Sequence, residues 1–295
     1  VGFFFFLTGY FIYVLKKNSG GGYSVRRLFK LILQVYFYSI MPFCTWLICR
    51  LFGLYTFPEI TSLNQIMLFI NTIIPITSGN GWWFTQTYFI IFLFIPVINE
   101  YLQKLSNKQM ILTLSFVWLF WYSSTIFPFA YKSFQKALFF YILGATIRQC
   151  PIKINKWISL FLFVVTWGFY VVLEYYDSAI IKNESIRDMF VKNIYDALKN
   201  IVLVPGAVVS IVLFFEKTKI PYNRIINEIA STTFGIYLFH DSIIGRQLIW
   251  NKIFHVLDVQ YVQKYFQVNA ISTILFVFII GSGIDFVRKT IFERK

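Results

Sequence analysis

Charged side chains are scarce in this sequence. Asp, Glu, Lys and Arg make up only 14% of its 295 residues, whereas a soluble globular domain carries about 25%. A chain with so few ions cannot cover a surface that faces water. The scarcity excludes an ordinary soluble protein and indicates that lipid solvates much of the chain.

Residues that commonly build active sites are also few. The chain has 3 cysteines and 2 histidines, and the cysteines show neither a disulfide framework nor the spacing of a metal site. The motifs of serine hydrolases, zinc proteases and dinucleotide-binding proteins are missing. Polar residues are scattered over several apolar runs, which argues against a proton-driven transporter, because such spans usually carry more Asp, Glu or His. We therefore predict no metal site.

Apolar runs fill most of the chain instead. Hydrophobic residues account for 58% and aromatic residues for 21%, and many runs approach the ~20 residues that cross a bilayer. We predict an all-α, polytopic transmembrane helix bundle with about nine spans. The segment 64–76 is short and carries polar residues, so we predict an interfacial or re-entrant piece there. The nine predicted spans are residues 1–15, 28–52, 83–103, 109–127, 133–148, 156–176, 196–216, 231–250 and 268–287.

The net charge of +14 is compatible, taken alone, with a nucleic-acid partner. The lysines and arginines lie mostly in short loops between apolar runs, where they orient helices in a bilayer. We therefore expect a lipid bilayer, and no nucleic acid, as the partner. If segment 64–76 does not cross, the more basic loops all face one side. This predicts a multi-pass cell-membrane protein with a cytoplasmic C-terminus and Val1 on the outer side; the oligomeric state stays open.

The first stretch, "VGFFFFLTGYFIYVLKK", begins inside an apolar run without an initiating Met and without the features of a cleavable signal peptide. Residues 1–15 would rise only about 22 Å as a helix, which is short of the ~30 Å hydrocarbon core. We therefore expect at least one further span before Val1. Ten spans, with both ends cytoplasmic, would complete the bundle.

A compact cationic patch opens the second apolar segment, "YSVRRLFKLI". Arg26, Arg27 and Lys30 are three or four residues apart and share a helical face. One interpretation is an anchor for anionic lipid headgroups. The other is a clamp for phosphate groups, which arginine grips with two hydrogen bonds. The spacing alone leaves both interpretations open.

Polar residues enter the third apolar segment, "GNGWWFTQTYFIIFLFIPVINEYL". Trp83 is typical of an outer aromatic belt, whereas Gln86 and Tyr88 are unusual at the entrance of a membrane helix. Glu100 follows near the predicted inner end, where simple solvation would also explain it. We take Trp83, Gln86, Tyr88 and Glu100 as candidate substrate-binding residues.

His240 lies midway along the predicted span 231–250, near the bilayer midplane. An ionisable residue at that depth is a functional candidate by default, and burial would keep it neutral and able to act as a general base. The alternative is a neutral histidine that is tied to a neighbouring helix by a hydrogen bond. Asp241 is turned ~100° away on the helix, so the two residues do not form an obvious catalytic pair.

Five segments together, in their order along the chain, resemble the acyltransferase 3 family of integral membrane O-acyltransferases. Each segment alone is a weak signal, and the ordered set carries the resemblance. The segments are "FFFFLTGYFI" (3–12), "YSVRRLFKLI" (23–32), "WWFTQTYFIIFLFIPVIN" (82–99), "FFYILGATIR" (139–148) and "FGIYLFH" (234–240).

The chain departs from this family's pattern at two positions. Thr8 stands where serine is usual, and Lys30 replaces the second arginine of an Arg-x-x-Arg pattern. The resemblance implies ten core helices and transfer of an acyl group, typically acetyl from cytoplasmic acetyl-CoA, to a hydroxyl of a surface glycan or other small acceptor. It also implies that Arg26, Arg27 and Lys30 meet the phosphates of acetyl-CoA or another acyl-CoA, which is the donor co-substrate.

The same resemblance bears on the catalytic base. The family's best-marked catalytic pair is an Arg or Lys followed by a His, both on the first helix, and that helix has no counterpart here. We therefore expect one membrane-embedded acyltransferase-like domain over residues 1–295, truncated at its N-terminus, with the main base upstream of Val1. Within the chain, His240 is the candidate base.

Three hypotheses follow from the sequence. The first is an O-acyltransferase that acts on a cell-surface polysaccharide or related glycan. The second is a transporter or flippase for a glycan or lipid-linked sugar, because long aromatic-rich helices also suit such proteins. The third is a non-catalytic relative of the enzyme.

Overall fold

A computed structural model describes most of the chain. Within the described residues, regular structure is helical and no strand occurs, so the predicted all-α class is confirmed. The described residues are 2–15, 22–57, 60, 62–75, 82–126, 132–180, 194–218, 220–256 and 263–293.

Twelve α-helices and two π-helices are described. Both π-helices continue directly from or into an α-helix, as π-segments usually do. The helices are α1 (Gly2–Leu15), α2 (Gly22–Leu51), α3 (Ser62–Ile73), α4 (Trp83–Gln103), α5 (Asn107–Ile126), α6 (Lys132–Gln149), α7 (Lys156–Ile180), π1 (Leu198–Leu203), α8 (Val204–Glu216), α9 (Arg224–Ala230), α10 (Thr233–His240), α11 (Ile243–Gly245), π2 (Arg246–Ile253) and α12 (Gln263–Phe292).

Within the described residues, five helical segments are both long enough and apolar enough to cross a bilayer. They fall on five of the predicted spans and support a multi-pass membrane protein, whereas the count of nine and the orientation stay predictions. Gly2–Tyr13 is a shorter apolar helix. The five segments are Leu28–Leu51, Trp83–Gln103, Lys156–Tyr175, Ile194–Glu216 and Gln267–Phe292.

The surface of α7 shows why lipid is needed. Trp157, Phe161 and Phe169 are all exposed along this helix. An apolar strip of this length is too large for a soluble monomer. In a bilayer the same strip is solvated by hydrocarbon.

The predicted span 231–250 is not one continuous helix, which corrects the sequence-based expectation. α10 ends at His240, and Ser242 adopts an extended conformation (φ −68°, ψ 153°) before the next helical turn. The Ser242 hydroxyl then accepts a hydrogen bond from the Gly245 N–H at 3.0 Å. Hydropathy cannot register such a break, although serine is a preferred residue at a helix N-cap.

Two compact units make up the chain. The first comprises residues 1–21 and 87–221, and the second comprises residues 22–86 and 222–295. In the first unit α1 packs on α6, α6 on α5, and α7 on α8. In the second unit α2 contacts α3, α10 and α11, while α10 packs on α12.

The α1–α6 contact is a close approach of two backbones. A Cβ atom on Gly144 would lie 2.1 Å from the carbonyl oxygen of Phe6, and one on Gly9 would lie 2.0 Å from that of Tyr141. Glycine is therefore required at both positions. Small residues commonly let membrane helices approach in this way. Two of the segments that carry the family resemblance, 3–12 and 139–148, meet at this contact.

Candidate active site

A buried carboxylate lies at the centre of the second unit. Asp285 is fully buried, and its Oδ1 accepts hydrogen bonds from Gln34 at 3.0 Å and Tyr38 at 3.1 Å, both on α2. Arg288, one turn further along α12, donates from Nε to the same oxygen at 2.8 Å. A buried charge needs such partners, since an unpaired one is very costly.

Arg288 extends this arrangement into a chain of alternating charges. Its Nη1 donates to Oε1 of Glu293 at 2.8 Å, and Oε2 of Glu293 lies 3.5 Å from Nζ of Lys30. Lys289 Nζ lies 3.7 Å from Oδ2 of Asp285. We call these five residues, Lys30, Asp285, Arg288, Lys289 and Glu293, the ion cluster.

Glu293 is ionised in this arrangement. Its partial burial opposes ionisation, but the hydrogen bonds from Arg288 and the positive charges of Arg288 and Lys30 outweigh that effect and lower the pKa of its carboxyl group. At neutral pH its carboxylate therefore carries a full negative charge between α2 and the end of α12.

α10 packs against the ion cluster. A Cβ atom on Gly235 would lie 2.4 Å from Oδ1 of Asp285 and 2.6 Å from the hydroxyl of Tyr38. The hydroxyls of Thr232 and Ser282 are 3.1 Å apart and join the same two helices. The glycine therefore lets the helix that ends at His240 lie directly on the buried carboxylate.

Of the residues predicted to bind the donor, Lys30 lies in the ion cluster. Its side chain is 57% exposed and pairs with Glu293. Arg26 and Arg27 lie in the first turns of α2, but their side chains fall outside the described part of the structure. The sequence analysis did not single out Asp285, Arg288 or Glu293, although an aspartate within the predicted span 268–287 was a usable signal.

His240 ends α10 with its ring half-buried. Its Nδ1 lies 2.7 Å from the carbonyl oxygen of Ile236. A carbonyl only accepts hydrogen bonds, so Nδ1 carries the proton, and in the neutral ring Nε2 holds the lone pair. The bond is made within α10, and Nε2 is the ring nitrogen that bears the lone pair.

The surroundings of His240 support its ring. Trp250 on π2 packs 5.8 Å from the imidazole, between ring centroids, and its Nε1 donates to the His240 carbonyl at 3.3 Å. Asp241 instead pairs with Arg246 at 2.7 Å. The geometry agrees with the expectation that His240 and Asp241 do not act as a pair.

An apolar cavity of about 150 Å³ lies beside the helix break. Its walls include Phe239 and Ser242, which flank His240 and Asp241 in sequence, and Tyr38, whose hydroxyl contacts the ion cluster. A dry apolar cavity of about 150 Å³ in another protein holds benzene. The space therefore suits a small hydrocarbon group. The remaining walls are Met41, Pro42, Thr45, Leu238, Ile244, Gly245, Leu248, Ile249, Ile253 and Phe276.

The predicted substrate-binding residues are spread along α4. Trp83 is exposed and Gln86 half-buried in the second unit. In the first unit, Tyr88 packs on Phe4 with ring centroids 5.2 Å apart. Glu100 is exposed and pairs with Lys104 at 3.0 Å. Tyr88 and Glu100 are separated by about 18 Å of helical rise, so these two residues do not share one site, and the roles of all four stay predictions.

Nothing in the described ranges brings together three or more His, Cys, Asp or Glu side chains that could hold a metal ion. The described second unit also holds the His240 ring, the ion cluster and the apolar cavity.

Comparison with protein families shows the family of the chain. A family model described as an acyltransferase domain, Acyl_transf_3, matches residues 1–284. The chain belongs to the acyltransferase 3 family. The match extends across both units of this family member and stops one residue before Asp285, so four residues of the ion cluster lie beyond the matched part. No curated protein and no solved structure matched the chain.

Proposed function

We propose that the protein is a membrane O-acyltransferase that moves an acyl group, acetyl in the first instance, from cytoplasmic acyl-CoA to a hydroxyl of a cell-surface polysaccharide or related glycan. The observation that carries the proposal is the family match over residues 1–284. The helices that can cross a bilayer supply the setting in which a cytoplasmic donor meets an acceptor at the cell surface.

The reaction is the attack of an acceptor hydroxyl on the thioester carbonyl of the donor. A base removes the hydroxyl proton, the new ester bond forms, the carbon–sulfur bond breaks, and the CoA thiolate leaves and is protonated. Within the chain, Nε2 of His240 is the candidate base.

The other predicted residues hold the two substrates in this proposal. Arg26, Arg27 and Lys30 bind the phosphates of the donor, and the apolar cavity beside Ser242 takes its acyl group. Positioning of the two reactants supplies much of the rate, because it replaces an encounter in solution by a reaction within one complex.

Transfer of labelled acetyl from acetyl-CoA, measured in membranes that contain the protein as its cells make it, tests the proposal. We expect label in the glycan fraction, and none in membranes from cells that lack the protein. Loss of glycan export on deletion, with no transfer from any acyl-CoA, would instead support the transporter hypothesis.

A further inference from the structure

The carboxylate of Glu293 lies between cations of two different helices. Its Oε1 accepts from Arg288 on α12 at 2.8 Å, and its Oε2 lies 3.5 Å from Lys30 on α2. Each oxygen is thus matched to one cation. A phosphate group, with several equivalent oxygens, can make the same two contacts.

Arg288 and Lys30, the two cations that contact Glu293, differ in how firmly their side chains are held. Arg288 is buried and fixed by Asp285 through Nε, which leaves Nη1 pointing at Glu293. Lys30 is 57% exposed and Glu293 is 32% exposed. Exposed ion pairs contribute little and exchange readily with other ions. Glu293 can therefore move away while Arg288 stays in place.

Removal of Glu293 would leave a strongly cationic site. Lys30 and Arg288 would then lose the carboxylate that both contact, while Asp285, the negative charge that remains in the ion cluster, is itself occupied by Gln34, Arg288 and Lys289. The excess of positive charge would attract an anion with more than one negative charge.

We propose that Lys30 and Arg288 form a phosphate-binding site shared by α2 and α12, and that Glu293 occupies this site until the donor's phosphates displace it. The inference rests on the proposed function for the source of the phosphates, which is acyl-CoA. Glu293 then acts as an internal competitor that sets the affinity for the donor, and its displacement is a reversible exchange of ions.

The test measures binding and does not depend on turnover. The full chain is reconstituted in nanodiscs of zwitterionic phosphatidylcholine, and its affinity for CoA, which has the phosphates but no acyl group, is measured by calorimetry. We expect Glu293→Gln to lower the Kd for CoA about threefold to tenfold, because the site is no longer occupied from within. We expect Lys30→Ala to raise the Kd.

The matched control is Glu228→Gln. Glu228 is exposed on α9 in the same unit, so the substitution removes the same charge without touching the ion cluster, and the Kd should stay unchanged. In the double variant Lys30→Ala, Glu293→Gln, the gain from Glu293→Gln should shrink, since the two side chains are direct partners. Equal gains in both backgrounds would overturn the shared site.

The remaining outcomes separate the phosphate sources and the two proposals. An unchanged or higher Kd for CoA in Glu293→Gln overturns the inference, even if the protein transfers acetyl groups normally. In separate nanodiscs that contain phosphatidylglycerol, stronger retention of this lipid by Glu293→Gln with unchanged CoA affinity overturns it in favour of a lipid-headgroup site. Tighter CoA binding in Glu293→Gln supports the site even if acetyl transfer is never detected, which would overturn the proposed function alone.

Discussion

Both units bring helices together at a glycine, but the glycines face different groups. In the first unit, a Cβ on Gly144 would overlap the backbone carbonyl of Phe6. In the second unit, a Cβ on Gly235 would overlap the carboxylate of Asp285 and the hydroxyl of Tyr38. The same structural device thus packs backbone against backbone in one unit and covers a buried ion pair in the other.

The α1–α6 and α10–α12 contacts differ in the groups that they bring together. The α1–α6 contact combines close backbone packing at Gly9 and Gly144 with hydrogen bonds from Arg148 to the Tyr10 hydroxyl at 3.2 Å and from the Tyr13 hydroxyl to Gln149, and neither of these bonds joins two opposite charges. The contact of α10 with α12 keeps the buried charges of the ion cluster beside the helix that ends at His240. We infer that the first contact is scaffold and that the second supports chemistry.

The largest expected effect is on catalysis. If His240 is the base, His240→Ala should lower kcat for acetyl transfer about 100- to 10,000-fold and leave the KM for acetyl-CoA nearly unchanged. The logarithm of kcat against pH should also lose the limb that reports the base. His255→Ala, which changes the other histidine of the chain, is the control. An unchanged kcat in His240→Ala would place the base elsewhere and weaken the assignment of chemistry to the second unit.

The next largest effect is on stability. Asp285→Asn leaves the guanidinium of Arg288 buried with a weaker partner, and loss of one member of a buried ion pair costs about 3–5 kcal/mol. We expect the free energy of unfolding in detergent to fall by that order. The matched control is Asp241→Asn, whose ion pair with Arg246 is partly exposed and contributes about 0–1 kcal/mol. Equal decreases in the free energy of unfolding of the two variants would show that the ion cluster stabilises the fold no more than a partly exposed ion pair does.

The features that were predictable from the sequence are those that depend on local composition. Five predicted spans recur as helices that can cross a bilayer. One interpretation of Glu100 from the sequence was a solvated side chain. Glu100 is exposed and pairs with Lys104, four residues later on the same helix. His240 was singled out by its position in an apolar run, whereas its hydrogen bond to Ile236 within the same helix was not predicted.

The features that the sequence did not reveal depend on distant contacts or on single backbone angles. Tyr38 and Asp285 are separated by 247 positions, and composition does not determine that α2 and α12 are neighbours. The break after His240 depends on the extended conformation of Ser242, which leaves the mean hydropathy of the run unchanged. Lys30 was predicted to contact lipid headgroups or donor phosphates, which stays a prediction, and its contact with Glu293 was not predicted.

A smaller effect on stability tests the inference that the α1–α6 contact is structural. Gly144→Ala forces the backbone of α1 away from α6, and overpacking of this kind costs about 1–3 kcal/mol. Gly168→Ala on α7 is the control, because a Cβ there meets nothing within 4 Å and alanine favours a helix. Thermal unfolding of both variants checks the expectation. A loss confined to Gly168→Ala would contradict the close α1–α6 contact.

The smallest expected effect concerns the pH dependence of the ion cluster. Burial raises the pKa of Glu293, but the hydrogen bonds and charges of Arg288 and Lys30 lower it overall from its ordinary value of 4.5. The unfolded chain therefore takes up this proton at a higher pH than the folded one. The stability contributed by Glu293 is fully present above its ordinary pKa of 4.5 and is lost as the pH falls through the lowered pKa of the folded protein. Because the carboxylate is one-third exposed, we expect no more than about 1 kcal/mol.

Thermal unfolding of the wild type and of Glu293→Gln, compared from pH 7 down to acid, measures this contribution. The wild type should be slightly more stable at neutral pH, and the difference should vanish in acid, where both side chains are neutral. High salt at pH 7 should also reduce the difference, since part of the pair is exposed. A difference that persists in acid would show that Glu293 contributes through packing, and not as an anion that a donor phosphate can replace.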